Sequence, residues 1–181
     1  LFGRVLDGTG SARTIHWDEV QSWQPSTPDE VLWIHICRTR DGVKHWLEDH
    51  LRIPEPTAEL LTSDQTRPRA FREGTNLVGT LRGINFNPGA EPEDMISMQF
   101  WCDGRRLVTL RRHPLQTPRE IVSLLDRGEG PPDAGATITL LARDADVTES
   151  TLKFADRDFY KTVGEARHTT GPGFATRIPT A

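Results

Sequence analysis

The sequence predicts an α/β or α+β layer fold, a mixed β-sheet with helices packed on it. Three observations lead there. A continuous apolar run, Val31–Cys37, has the length and composition of a central strand buried on both faces. Turn signals at Asp7-Gly8-Thr9-Gly10 and at Asp103-Gly104 each join two short strand-like segments as a hairpin. Apolar residues recur at helical spacing around Trp46 and again around Ile121.

Taken in order, Phe2–Leu6 and Ala12–Ile15 form the opening hairpin, and Trp17–Trp23 a short helix that Gln24–Pro28 ends, because proline lacks the amide donor. After the Val31–Cys37 strand, Asp41 or Gly42 starts a helix carrying Val43, Trp46, Leu47 and Leu51 on one face. Pro54 and Pro56 punctuate it, and Thr57–Ser63 is a further short helix with Thr57 as its cap. Ala70–Arg72 and Leu77–Arg82 are strands around Glu73-Gly74-Thr75-Asn76, followed by a long loop over Gly83–Asp94. Met95–Cys102 and Leu107–Arg111 are the strands of the second hairpin.

Thr117 with Glu120 matches a capping box, and Pro118 fits the first turn of a helix whose apolar face is Ile121, Val122, Leu124 and Leu125. A last helix begins near Ala136 and carries Ile138, Leu140, Leu141 and Ala145. Beyond about Ser150, Gly171-Pro172-Gly173 and Pro179 predict an irregular tail.

Length and composition narrow the function classes. A chain of 181 residues suits one domain with or without a tail. Hydrophobic residues make up 35% and charged residues 27%, with a mean hydropathy of -0.52, which predicts a wet, soluble surface. The net charge of -4 and the short, scattered basic runs argue against a nucleic-acid partner, which requires a clustered basic face. The two cysteines, Cys37 and Cys102, stand apart, outside any CxxC pair, and are read as reduced thiols of a cytosolic compartment. No run of about 18 apolar residues offers a membrane span, and no signal peptide is evident. Leu1 opens a strand rather than a translation start, so residues are expected to precede it.

Catalytic signatures are missing: there is no GxGxxG or Walker loop, no GxSxG elbow and no HExxH helix, so the chain is read as not an enzyme. Candidate metal ligands fall into two groups. Alternation along a strand puts Trp33, His35 and Cys37 on one face, and imidazole and thiolate both suit zinc, although a structural zinc needs about four ligands. The competing reading is a core strand with a hydrogen-bonded histidine and an inert thiol. The acidic loop offers Glu91, Glu93 and Asp94 to a hard cation, against the reading of a charged surface turn. His45 and His50, five apart on a helix, do not share a face.

Residues 67–99 carry a longer pattern. Arg67-Pro68-Arg69 is followed by Leu81-Arg82-Gly83-Ile84-Asn85-Phe86-Asn87-Pro88-Gly89, and then by Pro92-Glu93-Asp94-Met95 entering a strand. This resembles the cytoplasmic domain of the CorA superfamily of divalent-cation transporters, closest to its ZntB-like zinc-transport branch. The likeness runs over residues 1–150, leaving 151–181 as the start of a stalk or a divergent, irregular tail.

The resemblance implies an α/β/α sandwich with a mixed, largely antiparallel sheet and helices on both sides. It implies a domain on the cytoplasmic face of a bacterial inner membrane, forming the wall of a homopentameric funnel that helps sense or concentrate Zn²⁺ or another divalent cation as cargo. It implies no resident cofactor, and a membrane pore carried by spans absent from these residues. Arg67, Arg69, Arg82, Asn85, Asn87 and Asp94, with Pro68, Gly83, Pro88, Gly89, Pro92, Glu93 and Met95, would hold the loop and the subunit contacts. The alternatives are a magnesium or cobalt branch of the same superfamily, and a stand-alone cytosolic binder or enzyme.

Overall fold

The structure, a computed structural model, describes residues 1–83, 85, 87–91 and 94–143. Seven strands form one sheet: β1 (Phe2–Leu6), β2 (Ala12–Thr14), β3 (Val31–Cys37), β4 (Arg69–Glu73), β5 (Asn76–Gly83), β6 (Ile96–Cys102) and β7 (Arg106–Arg111). Their order is β2-β1-β3-β7-β6-β5-β4. Every neighbouring pair is antiparallel except β3 and β7, which run parallel with His35 opposite Thr109 and Cys37 opposite Arg111. The sheet is thus mixed and mostly antiparallel, as the sequence and its resemblance imply.

Alternation along the central strands sends two apolar sets to opposite faces. Leu32, Ile34 and Ile36 of β3, Val108 and Leu110 of β7 and Trp101 of β6 pack under α1 (Trp17–Val20), α2 (Val43–Leu51) and α3 (Glu55–Thr62). Trp33, Leu107, Met98, Phe100 and Cys102 pack under α4 (Gln116–Asp126) and α5 (Ala134–Arg143). Burial on both sides explains why β3 reads as a continuous apolar run, and each such side chain contributes about 1.5–3 kcal/mol.

Several local expectations are corrected. The first helix is a single turn, Trp17–Val20. Thr57 does not cap α3. The helix starts earlier because Pro56 sits in its first turn, where a missing N–H costs no hydrogen bond, and Pro54 takes the N-cap position. The buried Thr57 hydroxyl instead donates to the Glu73 carboxylate, fastening α3 to the edge strand β4. The Thr117–Glu120 capping box does not form, because α4 starts at Gln116 and Thr117 lies inside its first turn. Glu120 instead accepts a hydrogen bond from Gln116 Nε2 at 2.6 Å, an i,i+4 pair. The last helix begins at Ala134, earlier than expected, because the Asp133 carboxylate accepts the Ala136 N–H at 2.9 Å in the manner of an N-cap. Ala145 and the tail over 151–181 lie outside the described residues.

Candidate functional site at the motif loop

β5 ends at Gly83, where the motif loop begins, and β6 starts beyond it at Ile96. Asn85 and Asn87 fold the loop back on itself. The Asn85 side-chain oxygen accepts the Asn87 backbone N–H at 3.1 Å and the Asn87 side-chain amide at 2.7 Å, an Asx-type turn. The same Asn87 amide donates to the Pro114 carbonyl at 3.1 Å, tethering the loop to the β7–α4 connection. Gly89 holds φ of 81°, a left-handed conformation open to glycine at no steric cost.

A cleft of about 290 Å³ lies between these parts. Gly83, Asn87 and Pro88 form one wall and Pro114–Arg119 the opposite wall, with Ile96 and Met98 of β6 as floor. Leu141, near the C-terminal end of α5, completes it. The cleft therefore joins the motif loop to α5, the last helix among the described residues.

The remaining motif residues lie elsewhere. Arg69 pairs in register with Thr80, and Arg82 with Ser97, which puts both arginines on the face covered by α1–α3. Arg67 is exposed and Pro68 half-buried. The segment before them is pinned by residues the sequence reading passed over. Arg38, with a side chain only 4% exposed, donates to Thr62 O at 3.2 Å and pairs with Asp64 at 2.9 Å. Arg112 meets the same carboxylate at 2.8 Å, and the two guanidiniums hold Asp64 below the usual carboxylate range. Buried Gln99 donates to Gln65 O at 3.1 Å, and Arg69 to Gln65 Oε1 at 2.9 Å. The signals for this set were a glutamine inside an apolar strand and an arginine directly after one.

Trp33, His35 and Cys37 do share one face of β3. Trp33 Nε1 donates to the Thr109 hydroxyl at 3.0 Å, and His35 Nδ1 lies 2.9 Å from the same oxygen. His35 is 3% exposed, and burial, aided by the Arg111 charge, lowers its pKa to about 3. It is a neutral histidine at ordinary pH. Cys37 Sγ lies 3.2 Å from the Thr39 hydroxyl, which lowers the thiol pKa against the effect of its partial burial.

Glu91 and Asp94 are exposed and close a turn, with the Asp94 N–H on the Glu91 carbonyl at 2.9 Å. Pro92 and Glu93 lie outside the described residues, and Met95 leads directly into β6. Among the described residues, no group of three or more His, Cys, Asp and Glu side chains is placed to hold a metal ion. Also among them, no helix is long and apolar enough to cross a membrane.

Comparison with known proteins adds to this geometry. The family model described as "CorA-like Mg2+ transporter protein" matches residues 28–148. The divalent cation transporter CmaX of Pseudomonas aeruginosa is 36% identical over 143 residues, covering 78% of this chain and 43% of that protein. The structure of full-length CmaX superposes with a TM-score of 0.76 at 33% identity, covering 96% of this chain and 53% of that one. The zinc transport protein ZntB of Pectobacterium atrosepticum is 30% identical over 152 residues, covering 83% of this chain and 44% of that protein. The ZntB cytoplasmic domain of Vibrio parahaemolyticus shares the fold, with a TM-score of 0.65 at 24% identity, covering 91% of this chain and 64% of that one. The chain spans less than half the length of the curated relatives it matches.

Proposed function

The chain belongs to the CorA-like Mg2+ transporter family, and from that premise we propose that it is the cytoplasmic domain of a divalent-cation transporter that moves zinc. The observation that carries the proposal is the family match over the folded region, joined to the position of the cleft. Motif residues Gly83, Asn87 and Pro88 share one cleft with Leu141 of α5. In this reading the membrane spans belong to a part of the protein outside these residues. The cleft shared by the motif loop and α5 is then where the domain passes a change in packing to the rest of the protein.

Five copies surround the path of the cation, and the domain forms the funnel wall on the cytoplasmic side of the inner membrane. Transport is not enzymatic catalysis, and the domain needs no resident cofactor; the cation is cargo. The carboxylates Glu91 and Asp94, with Glu93 of the same stretch of sequence, meet the hydrated ion in preference to His35 and Cys37. His35 is committed to Thr109 inside the sheet, whereas Glu91 and Asp94 stand at the surface. For such a domain to sense a cation, the ion must bind one subunit packing more tightly than another.

Zinc is favoured over magnesium and cobalt by the likeness to ZntB sequences. The CmaX relative supports a divalent cation without naming which. The test is cation selectivity: the whole gene product, reconstituted in liposomes, is offered Zn²⁺, Mg²⁺ and Co²⁺ in turn. Zinc entering ahead of the other two supports the proposal. Magnesium or cobalt entering without zinc moves the protein to another branch, and no flux of any of them removes the transporter reading.

A further inference from the structure

The two faces of the domain carry unlike surfaces. On the face covered by α1–α3, the Trp17 ring rests on Trp46 with centroids 4.8 Å apart, yet Trp17 remains 41% exposed. Its indole N–H makes no hydrogen bond among the described residues. A large ring held in place by a neighbour, with a polar edge still to satisfy, is the kind of group that anchors interfaces. Asp18, the next residue, is exposed and makes no ion pair among the described residues. The Glu19 carboxylate, in contrast, already accepts the His16 N–H at 2.9 Å.

The opposite face, under α4 and α5, holds the motif cleft of about 290 Å³. Small-molecule pockets run from about 300 to 1,000 Å³, so this one suits a single large side chain. Its floor and end are apolar, from Ile96, Met98 and Leu141. In its wall, the Asn87 side-chain amide donates to Asn85 Oδ1 and to Pro114 O, while the Asn87 side-chain oxygen accepts no hydrogen bond among the described residues. Arg119 lines the cleft, is exposed and makes no ion pair among the described residues. It stands in the first turn of α4, which has no acidic residue and no side-chain cap. That end of a helix attracts negative charge.

We infer that the motif cleft receives Trp17 of a second copy of this chain. The ring fills the apolar cleft, its N–H meets the Asn87 oxygen, and Asp18 pairs with Arg119. Each match joins two groups that lack a partner within one copy. Trp17 and the cleft lie on opposite faces of the sheet, so two copies related by a two-fold axis cannot make both contacts at once. The contact repeats head to tail, and such contacts close into a ring or run on as a filament. The inference names the partner of the cleft and rests on the reading above, in which several copies surround the path of the cation.

The experiment cross-links the whole gene product in membrane vesicles, with Cys37→Ser so that the partly exposed native thiol does not compete. Ser22→Cys, four residues after Asp18, and Ser123→Cys, four after Arg119, are exposed positions that leave the charge pair intact. With both in one chain, a short bismaleimide should give a ladder of linked copies, and either cysteine alone should give no linked pair. Asp18→Arg and Arg119→Asp should each cut the ladder severalfold through like-charge repulsion, and the two together should restore it. Trp17→Ser should cut it as well. A linked pair from either cysteine alone, no ladder from the two, a ladder indifferent to the charge reversals, or attachment of the Ser123→Cys thiol to a different protein overturns the contact. Zinc flux is measured on the same vesicles. Flux without a ladder removes the contact and leaves the transporter reading standing, whereas a ladder without flux keeps the contact and removes that reading.

Discussion

His35 Nδ1 and the Thr109 hydroxyl lie 2.9 Å apart across the parallel strand pair β3–β7. The same hydroxyl lies 3.2 Å from Ile34 O, so when it donates there it accepts from both Trp33 and His35. That arrangement satisfies Thr109 fully and sets the His35 tautomer with its proton on Nδ1. Thr109→Val keeps the shape and removes the acceptor, leaving buried donors without a partner. The expected cost is about 2–3 kcal/mol of unfolding free energy by urea titration.

The same histidine makes stability depend on pH. Its folded pKa, about 3, lies below its unfolded value of 6.5, so between those values the unfolded chain binds the extra proton. The contribution of His35 is complete above pH 6.5 and is lost as pH falls toward 3, by about 1.4 kcal/mol per pH unit once the unfolded imidazole is protonated. His35→Asn, whose amide can reach Thr109 but does not titrate, should remove that slope from urea midpoints measured across this range.

The two thiols should separate by reactivity. Cys37 is partly exposed with a lowered pKa, whereas burial pushes Cys102 up to about 12. A thiolate is the reacting species. Iodoacetamide should therefore label Cys37 in the folded chain and Cys102 only after denaturation, as peptide mass spectrometry would record.

Gly79 has no room for a side chain. A Cβ there would lie 2.5 Å from the Phe100 ring and 3.0 Å from Arg69 O. Phe100 is buried and cannot swing away. Gly79→Ala should cost about 1–3 kcal/mol through overpacking and should loosen the β4–β5 edge first, seen as faster amide exchange in β4.

Most of the fold was legible because the sheet is regular. The β3 run, the Asp103-Gly104 turn and the alternation of β6 each state their element locally. Sheet order was not legible, because the pairing of β3 with β7 joins residues more than seventy positions apart and no local pattern encodes it. Two cap readings failed for physical reasons: Pro56 let α3 start early, and Gln116 took the Glu120 side chain that a capping box would have used.

The site was legible only in part. Asn87 and Gly83 stand out as motif residues, but their shared cleft with Leu141 depends on α5 folding back beside β6. The Arg38–Asp64–Arg112 set went unnoticed because its members come from three separate connections.

The central proposal is that the motif loop couples this domain to zinc transport by the whole protein. It is tested most directly by zinc flux into liposomes containing the whole gene product, beside its Asn87→Ala variant. The variant loses the tether to Pro114 O, worth about 1 kcal/mol, and its domain should remain folded. The account predicts zinc entry with the native protein and entry slowed severalfold with the variant. Equal flux from the two would contradict the coupling, and no zinc flux from the native protein would contradict the function itself.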